Sequence, residues 1–263
     1  MKKLCMFLAI VFVATSLTGC RKKPAVLVMA HRGASADAPE NTQSALVKAV
    51  EAGADYSEID VHQTKDGVIV LLHDKTLQRT TGQAGNIWDF TWEELKRLDA
   101  GLWFGKTFEG EPIPTLEEII RYADGRIKLN IEVKISGFEP GIVRKVVDTI
   151  HRESFVDDCL VTSFDREAVE RVKELDPKIR TGLIFGRDYP GDVFTGNWET
   201  LSCHFEVVDE SFMQRARNHG KTVFVWTVDE KEEMLRLIRL GVDAIITNKP
   251  DLLMKVLSEQ GKR

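Results

Sequence analysis

Cysteine is scarce in this chain of 263 residues. Only four cysteines occur, and none of them belongs to a Cys-x-x-Cys pair or stands at zinc-ligand spacing from a histidine. The sequence therefore offers no zinc site of the usual kind. Cys159 and Cys203 stand at the entries of two apolar runs, where an exported compartment would permit one disulfide between them. Two buried free thiols are at least as good an interpretation, and the sequence leaves both open.

An excess of positive charge is also lacking. The formal net charge is −5, from 36 Lys and Arg residues against 41 Asp and Glu residues. Such a chain has no electrostatic footprint for nucleic acid, and an anionic substrate must be attracted by a few local cations. The hydrophobic fraction of 43% is ordinary for a globular protein with one sizeable core.

Long apolar runs are missing except at the N-terminus. Met1 to Lys3 is a short positive start, and the almost wholly apolar run from Leu4 to Leu17 is too short for a membrane span and typical of a secretory signal. Leu17-Thr-Gly-Cys20 resembles a bacterial lipobox, which implies a signal peptide over 1–19, a lipidated Cys20 and a tether over 20–25. We therefore expect a membrane-anchored lipoprotein of the cell envelope, facing the periplasm or the exterior. A plain signal peptide or an uncleaved anchor is the alternative.

Over residues 26–258, short apolar runs alternate with amphipathic helical patterns. Eight runs have the length and composition of buried strands. They are Val26 to Ala30, Tyr56 to Val61, Ile127 to Val133, Cys159 to Phe164, Thr181 to Phe185, Phe205 to Val208, Val223 to Thr227 and Ala244 to Thr247. Repeated strand–helix units of this number predict a single TIM-type (β/α)8 barrel of the α/β class. A doubly wound open sheet is the alternative, but no Gly-x-Gly-x-x-Gly turn supports it.

One connection is too short for a crossover helix. Six residues, 62–67, separate the strand that ends near Val61 from the apolar run that begins at Val68, so the two runs should form an antiparallel hairpin. Asp66-Gly67 is a strong two-residue turn signal. Pairing outward from that turn places Val61 opposite Leu72 and Asp60 opposite His73. Glu58 shares the face of Asp60, so the hairpin predicts that Glu58, Asp60 and His73 lie together.

A long irregular stretch follows the hairpin. Residues of about 75–114 are rich in Thr, Gly and aromatic residues, and the stretch is too long for an ordinary connection. We interpret it as a small inserted lid or subdomain. A surface excursion that buries its own aromatic side chains is the alternative.

Three carboxylates stand in predicted strands. Glu58 and Asp60 share one strand face, and Glu132 lies in another buried strand. At the strand ends of a barrel they would converge, and their oxygen ligands favour Ca²⁺ or Mg²⁺ over zinc. The alternative is that Glu58 and Asp60 are surface residues and that Glu132 pairs with Lys134.

Two histidines directly follow or end apolar runs. His31 comes after the first strand, where barrel enzymes place catalytic groups, and is followed by Arg32, a side chain suited to phosphate. His73 ends its run in the same way, beside Asp74, which could orient it. Two imidazoles near one metal would supply an acid and a base. The four other histidines, at 62, 151, 204 and 219, are interpreted as structural.

At this point the sequence resembles the glycerophosphodiester phosphodiesterase family, over nearly all of residues 27–252. The motifs occur in the family's order and spacing. They include His31-Arg-Gly, Ala38-Pro-Glu-Asn-Thr42, Glu58-Ile-Asp60, Leu72-His-Asp74, Leu77-Gln-Arg-Thr-Thr81, Asn130-Ile-Glu-Val-Lys134, Val225-Trp-Thr-Val228 and Gly241-Val-Asp-Ala-Ile-Ile-Thr247.

The resemblance implies a TIM-type barrel that releases glycerol 3-phosphate and an alcohol from small glycerophosphodiesters. It makes His31 and His73 the acid/base pair, with His31 favoured slightly as the base. The remaining implied roles are the following: Glu58, Asp60 and Glu132 bind a divalent cation, Arg32 and Lys134 contact the phosphate, and Trp226 packs against the glycerol unless it belongs to the barrel core. Two departures stand out, since Asn248 replaces the usual Asp and Asp229 replaces a common Asn. Neither position is expected to touch the chemistry.

Two other functions remain open. A related barrel phospholipase acting on intact phospholipid would also use two histidines. A non-catalytic envelope lipoprotein could bind a phosphorylated solute, although every residue that the chemistry requires is present. The nucleophile is either the neighbouring hydroxyl of the glycerol, which gives a cyclic phosphate, or water.

Overall fold

The structure is a computed structural model, and it describes residues 26–261 and residue 263. The predicted signal peptide over 1–19 and the predicted lipidated cysteine and tether over 20–25 lie outside these residues. Among the helices of the described part, none has the length and apolarity needed to cross a membrane.

Eight parallel strands of the described chain close into a barrel. Their hydrogen-bonded order is β1-β9-β8-β7-β6-β5-β4-β2, and β1 pairs with β2 to close the cylinder. The ninth strand, β3, is antiparallel to β2. The strands are β1 Leu27–Ala30, β2 Tyr56–Gln63, β3 Ile69–Leu71, β4 Lys128–Val133, β5 Cys159–Ser163, β6 Arg180–Phe185, β7 Thr200–His204, β8 Thr222–Trp226 and β9 Ala244–Thr247. The predicted TIM-type barrel is confirmed.

Most of the helices pack around the outside of the barrel, whereas the two four-residue helices, 78–81 and 92–95, belong to the stretch between β3 and the helix that begins at Leu116. They are α1 Gln43–Glu51, α2 Gln78–Thr81, α3 Trp92–Leu95, α4 Leu116–Ala123, α5 Ile142–Arg152, α6 Arg166–Leu175, α7 Glu210–Asn218, α8 Lys231–Leu240 and α9 Pro250–Glu259. A capping box precedes α4, since the Thr115 hydroxyl accepts from the Glu118 amide and the Glu118 carboxylate accepts from the Thr115 amide. The cap residue of α8 is Glu230, and the neighbouring Asp229 accepts a hydrogen bond from the Thr247 hydroxyl.

One predicted strand was placed too late. The sixth parallel strand of the chain is β7, and the residues predicted to form it, from Phe205 onwards, begin a 3₁₀ turn, Phe205–Val207. Apolarity misled the prediction because the interior of the barrel is polar here, and Thr200 and Ser202 are buried. The apolar turn instead packs on the outside, where the Arg236 guanidinium donates to the Phe205 and Val208 carbonyls.

Side chains alternate between the two sides of the barrel wall. In β2, Ile59 and Val61 join the apolar layer between strands and helices, whereas Glu58 and Asp60 are the alternate residues and line the central cavity. The lower interior is filled by a separate apolar cluster that includes Met29 and Phe224. The carboxylates therefore stand above an apolar floor, in the upper half of the barrel.

The hairpin exists, but its register differs by one residue from the prediction. Val61 pairs with Leu71, and the Leu72 amide donates to the Asp60 carbonyl, so Asp60 lies opposite Leu72 and not His73. The turn has three residues, because the Thr64 amide donates to the Val68 carbonyl and Gly67 adopts a positive φ of 87°. A two-residue turn had been assumed, and the extra residue shifts every pair.

The stretch between β3 and α4 forms a small subdomain. It has an apolar cluster of its own, which contains Leu77, Ile87, Leu95, Ala100 and Ile113 and packs against Val70 and Leu72 of the hairpin. These residues therefore have a core separate from that of the barrel. Cys159 and Cys203 are both buried free thiols, and burial raises the pKa of each to about 12.

Candidate active site

The side chains predicted to carry chemistry meet in one cavity at the carboxyl ends of the strands. This is the position at which TIM barrels place their sites. The cavity is lined by His31, Arg32, Glu58, Asp60, His73, Asn130, Glu132, Lys134, Phe164, Ile184, Ser202, Trp226, Thr227 and Ile246.

Strand pairing brings the three carboxylates together. Asp60 of β2 and Glu132 of β4 are register partners, and Glu58 precedes Asp60 by two residues on the same face. One oxygen atom from each carboxylate lies within 4.8 Å of the others. All three residues are buried. This arrangement is a candidate site for a hard divalent cation.

Burial changes the pKa values of the three clustered carboxyl groups. Burial and the charges of Asp60 and Glu132 raise the pKa of Glu58 well above its ordinary value. Burial also raises the pKa of Glu132 to about 7, with a further contribution from Asp60. Burial would raise the pKa of Asp60 too, but the cationic Lys134 and Arg32 outweigh it and lower that pKa to about 2. The cluster therefore needs positive charge to be fully ionised.

Protein cations supply part of that charge. The Lys134 ammonium lies 2.8 Å from an Asp60 oxygen and also donates to Glu132. The Arg32 Nε lies 3.4 Å from Asp60, and the Arg32 backbone amide donates to the Glu58 carboxylate at 2.8 Å. Both predicted phosphate contacts thus lie in the cavity, paired with the carboxylates.

Asn41 also belongs to the site, although no role was predicted for it from the sequence. Its side-chain amide donates to Asp60 Oδ2 at 2.8 Å, and its Oδ1 accepts from the Asp60 backbone amide at 3.0 Å. It is almost fully buried and has a positive φ of 57°. The residue orients Asp60, and its presence in the Pro-Glu-Asn-Thr motif was the available signal.

The His31 ring is hydrogen-bonded to the side chain of Asn248. Its Nδ1 lies 2.7 Å from Asn248 Oδ1, and its Nε2 lies 4.0 Å from Glu58 Oε2. The expectation that position 248 does not touch the chemistry is therefore wrong. Burial, together with the neighbouring Arg32 charge, lowers the pKa of His31 to about 4. The imidazole is accordingly neutral near pH 7, as a general base requires.

His73 has a different partner. Its Nδ1 lies 2.7 Å from the carboxylate of Asp74, as the sequence suggested. Asp74 also accepts from Arg79 Nε at 2.7 Å, and this hydrogen bond is the main cause that lowers the pKa of Asp74 to about 2. Arg79 further donates to both oxygens of Glu40, which also accepts from Arg32 at 2.9 Å. A continuous ionic chain thus joins the two sides of the cavity.

The four other histidines do not line this cavity. His62 is buried and lies behind the site, with Nε2 3.3 Å from the His73 carbonyl. His151 pairs with Asp176 on the surface, and His219 contacts the end of α7. His204 stands edge-on to Trp226, with the ring centroids 5.4 Å apart.

Trp226 lies at the end of β8 and forms part of the cavity wall. It contacts the edge of Phe164, with the ring centroids 5.8 Å apart, and Phe164 is 51% exposed at the mouth. The indole Nε1 of Trp226 is buried and has no hydrogen-bond partner within the described chain. An unpaired buried donor at a cavity wall is suited to an oxygen atom of a ligand.

Comparison with known proteins agrees with this geometry. A sequence model described as the glycerophosphoryl diester phosphodiesterase family matches residues 31–252. This chain belongs to that family. The family assignment made from the motifs, and with it the assignment to a class of enzymes, is confirmed.

Relatives of this family match over almost their whole length. The glycerophosphodiester phosphodiesterase of Caldanaerobacter subterraneus subsp. tengcongensis is 41% identical over 243 residues, which cover 89% of this chain and 99% of the relative. A glycerophosphodiester phosphodiesterase of Bacillus altitudinis is 32% identical, with 88% of this chain and 98% of the relative covered. A solved phosphodiesterase of Oleispira antarctica, in complex with the product sn-glycerol-3-phosphate, is 31% identical, with a TM-score of 0.84 and coverage of 89% and 97%.

Proposed function

We propose that this protein hydrolyses glycerophosphodiesters to sn-glycerol 3-phosphate and an alcohol, using a divalent cation and two histidines. The observation that carries the proposal is the cluster of Glu58, Asp60 and Glu132 between His31 and His73 in one cavity. Membership of the family, and a relative solved with sn-glycerol-3-phosphate, support the choice of substrate.

The residues fit a divalent cation. Glu58 Oε1 is buried and has no hydrogen-bond partner among the described residues, so an oxygen ligand is available. The raised pKa values of Glu58 and Glu132 reflect repulsion and burial that a cation would relieve. A set of protein ligands that consists only of carboxylates favours Ca²⁺ or Mg²⁺. When bound, the metal supplies positive charge that stabilises the phosphate as negative charge builds up on it.

Arg32 and Lys134 would bind the phosphate. Both cations already reach the carboxylate cluster, which places them beside the proposed metal position. With a cation at the carboxylates, Lys134 would no longer be needed to neutralise Asp60 and Glu132 and could donate to a non-bridging phosphate oxygen. Arg32 can donate two parallel hydrogen bonds to such oxygens. Together they stabilise the extra charge of the transition state.

The two histidines divide the proton transfers. Nε2 of His31 removes the proton from the nucleophilic hydroxyl as its oxygen attacks phosphorus. His73 donates a proton to the oxygen of the departing alcohol as the P–O bond breaks. The nucleophile is either the neighbouring glycerol hydroxyl, with later opening of a cyclic phosphate by water, or water itself. Each histidine would be worth about 10²–10⁴-fold in rate.

A substrate panel tests the proposal. Release of sn-glycerol 3-phosphate should be seen with soluble glycerophosphodiesters and not with micellar phospholipid. Replacement of His31 or His73 by Ala should lower kcat by about 10²–10⁴-fold while the circular dichroism spectrum is kept. Preferential cleavage of micellar phospholipid would favour a barrel phospholipase. Absence of turnover with both Ca²⁺ and Mg²⁺ supplied would favour a binding protein.

We also propose that Cys20 anchors the enzyme to a membrane of the cell envelope. The support is the sequence alone, namely the charged start, the apolar run and the Leu-Thr-Gly-Cys ending. Labelling cells with a radioactive fatty acid should mark the wild type and not the Cys20→Ser variant. Equal labelling of both would contradict the proposal.

A further inference from the structure

Behind His31 lies a short chain of hydrogen bonds that ends at Asp229. Asn248 Oδ1 lies 2.7 Å from His31 Nδ1, and Asn248 Nδ2 donates to Asp229 Oδ2 at 2.6 Å. The other oxygen of Asp229 accepts from the Thr247 hydroxyl at 2.9 Å and from the Asn248 backbone amide at 2.8 Å. Three donors therefore converge on one carboxylate, which fixes its position.

The chemistry of these groups determines the direction of every hydrogen bond. A carboxylate only accepts, so the NH₂ group of Asn248 must face Asp229 and its carbonyl oxygen must face His31. That oxygen also only accepts, so the proton of the neutral imidazole must be on Nδ1. The lone pair is then on Nε2, the nitrogen that lies 4.0 Å from Glu58 Oε2 at the cavity.

We propose that Asp229 and Asn248 are positioning residues that hold His31 in the Nδ1–H tautomer, so that its Nε2 is the base of the reaction. The inference rests on the function proposed above and goes further, because it assigns the direction of proton transfer and names two residues that act only through His31. Neither Asp229 nor the Asn248 side chain needs to touch the substrate for this role.

The other histidine is held by a group of different charge. His73 Nδ1 faces the Asp74 carboxylate at 2.7 Å, whereas His31 Nδ1 faces a neutral amide oxygen. A carboxylate stabilises an imidazolium more than an amide oxygen does. The two partners thus suit different roles, since the amide oxygen fixes the tautomer of His31 and the carboxylate orients the His73 ring.

The Asp229–Asn248 pair can be exchanged without the loss of a hydrogen bond. In the Asp229→Asn/Asn248→Asp double variant, the new amide at 229 would donate to the new carboxylate at 248. Its carbonyl oxygen would still accept from Thr247 and from the backbone amide of residue 248. The carboxylate at 248 would still accept from His31 Nδ1. The exchange therefore preserves the Nδ1–H tautomer of His31. Either single substitution instead removes the donor–acceptor match between residues 229 and 248.

The single substitutions should act differently. In Asp229→Asn, the NH₂ group of the new amide would face the NH₂ group of Asn248. Asn248 is then expected to rotate, so that its oxygen faces residue 229 and its NH₂ group faces His31. An NH₂ group facing Nδ1 requires the imidazole proton to be on Nε2. Asn248→Asp sets two carboxylates against each other at a contact that is now 2.6 Å. Asp243→Asn is the matched control, because Asp243 likewise accepts from a backbone amide, that of Val223 at 2.7 Å, but lies outside the lining of the cavity.

Steady-state kinetics and ¹⁵N NMR of the histidine rings test the inference on the full chain. We expect kcat to fall about 10²–10⁴-fold in Asp229→Asn, with a smaller change in KM, and to recover to within about tenfold in the double variant. Asp243→Asn should keep kcat. The ring ¹⁵N shifts of His31, identified by comparison with His31→Gln, should show Nδ1–H in the wild type and the double variant.

An Nε2–H tautomer in the wild type would overturn the inference, even if the variants fail to fold. Full activity of Asp229→Asn would overturn it as well, as would a folded double variant no more active than either single one. These outcomes differ from failure of the proposed function. That function fails if His31→Ala keeps turnover, whatever tautomer the NMR spectrum shows.

Discussion

Removal of the proposed divalent cation should change how the stability of this protein depends on pH. Burial and the charge of Asp60 raise the pKa of Glu132 from 4.5 to about 7. Between these values the folded chain keeps a proton that the unfolded chain has lost. The contribution of this proton to the free energy of unfolding is complete below pH 4.5 and is lost as the pH rises through about 7. The two values are about 2.5 pH units apart, which corresponds to about 3 kcal/mol.

Urea unfolding in chelator measures this loss. Between about pH 5 and about pH 8, the free energy of unfolding of the metal-free wild type should fall by about 3 kcal/mol more than that of Glu132→Gln. The variant is a matched control because it keeps an acceptor for Lys134 and has no carboxyl group to titrate. Saturating Ca²⁺ should abolish the extra fall in the wild type. The same pH dependence in both chelated proteins would show that Glu132 does not retain a proton in the folded, metal-free chain.

Three further substitutions test other parts of the structure. Arg79→Ala removes the partner of Asp74 and should lower kcat about 10–100-fold in steady-state assays, whereas Arg121→Ala, which breaks only surface ion pairs, should not. Trp226→Phe removes the unpaired indole donor and should raise KM about 3–10-fold with little change in kcat; an unchanged KM would remove Trp226 from the substrate contacts. Leu95→Ala empties part of the insertion core and should cost about 2–5 kcal/mol in urea unfolding, and a cost below about 1 kcal/mol would mean that the insertion does not unfold with the barrel.

The fold was largely predictable because parallel barrel strands are buried on both faces and read as apolar runs. The prediction failed at β7, where Thr200 and Ser202 face the interior and interrupt that pattern. The hairpin could be predicted from a connection too short for a helix. Its register could not, since it depends on whether the turn contains two residues or three, and Thr64 pairs with Val68 through hydrogen bonds that no sequence pattern indicates.

The candidate site was predictable to the extent that its residues end or follow strands. His31 directly follows β1, whereas Asp60 and Glu132 stand inside β2 and β4 in the carboxyl-terminal half of each strand. The barrel brings these strand ends together. His73 lines the cavity although the predicted pairing was wrong, because it directly follows Leu72, whose amide donates to the Asp60 carbonyl.

The residues that support the site were harder to find, because they stand in loops and act across large sequence separations. Glu40 and Arg79 are 39 positions apart and meet in a pair of hydrogen bonds. In the sequence, Asn248 and Asp229 stand out as two separate departures from the family's usual residues. In the structure they contact each other, so they amount to one exchange of partners behind His31.

The most direct test of the account is the release of sn-glycerol 3-phosphate from a glycerophosphodiester by the chelated protein, before and after Ca²⁺ or Mg²⁺ is returned. We expect no release in chelator, recovery in the wild type when the metal is restored, and no recovery in Glu58→Gln, which weakens the carboxylate cluster. Release that continues in chelator, or that is undiminished in Glu58→Gln, would mean that no metal held by these carboxylates takes part in the reaction.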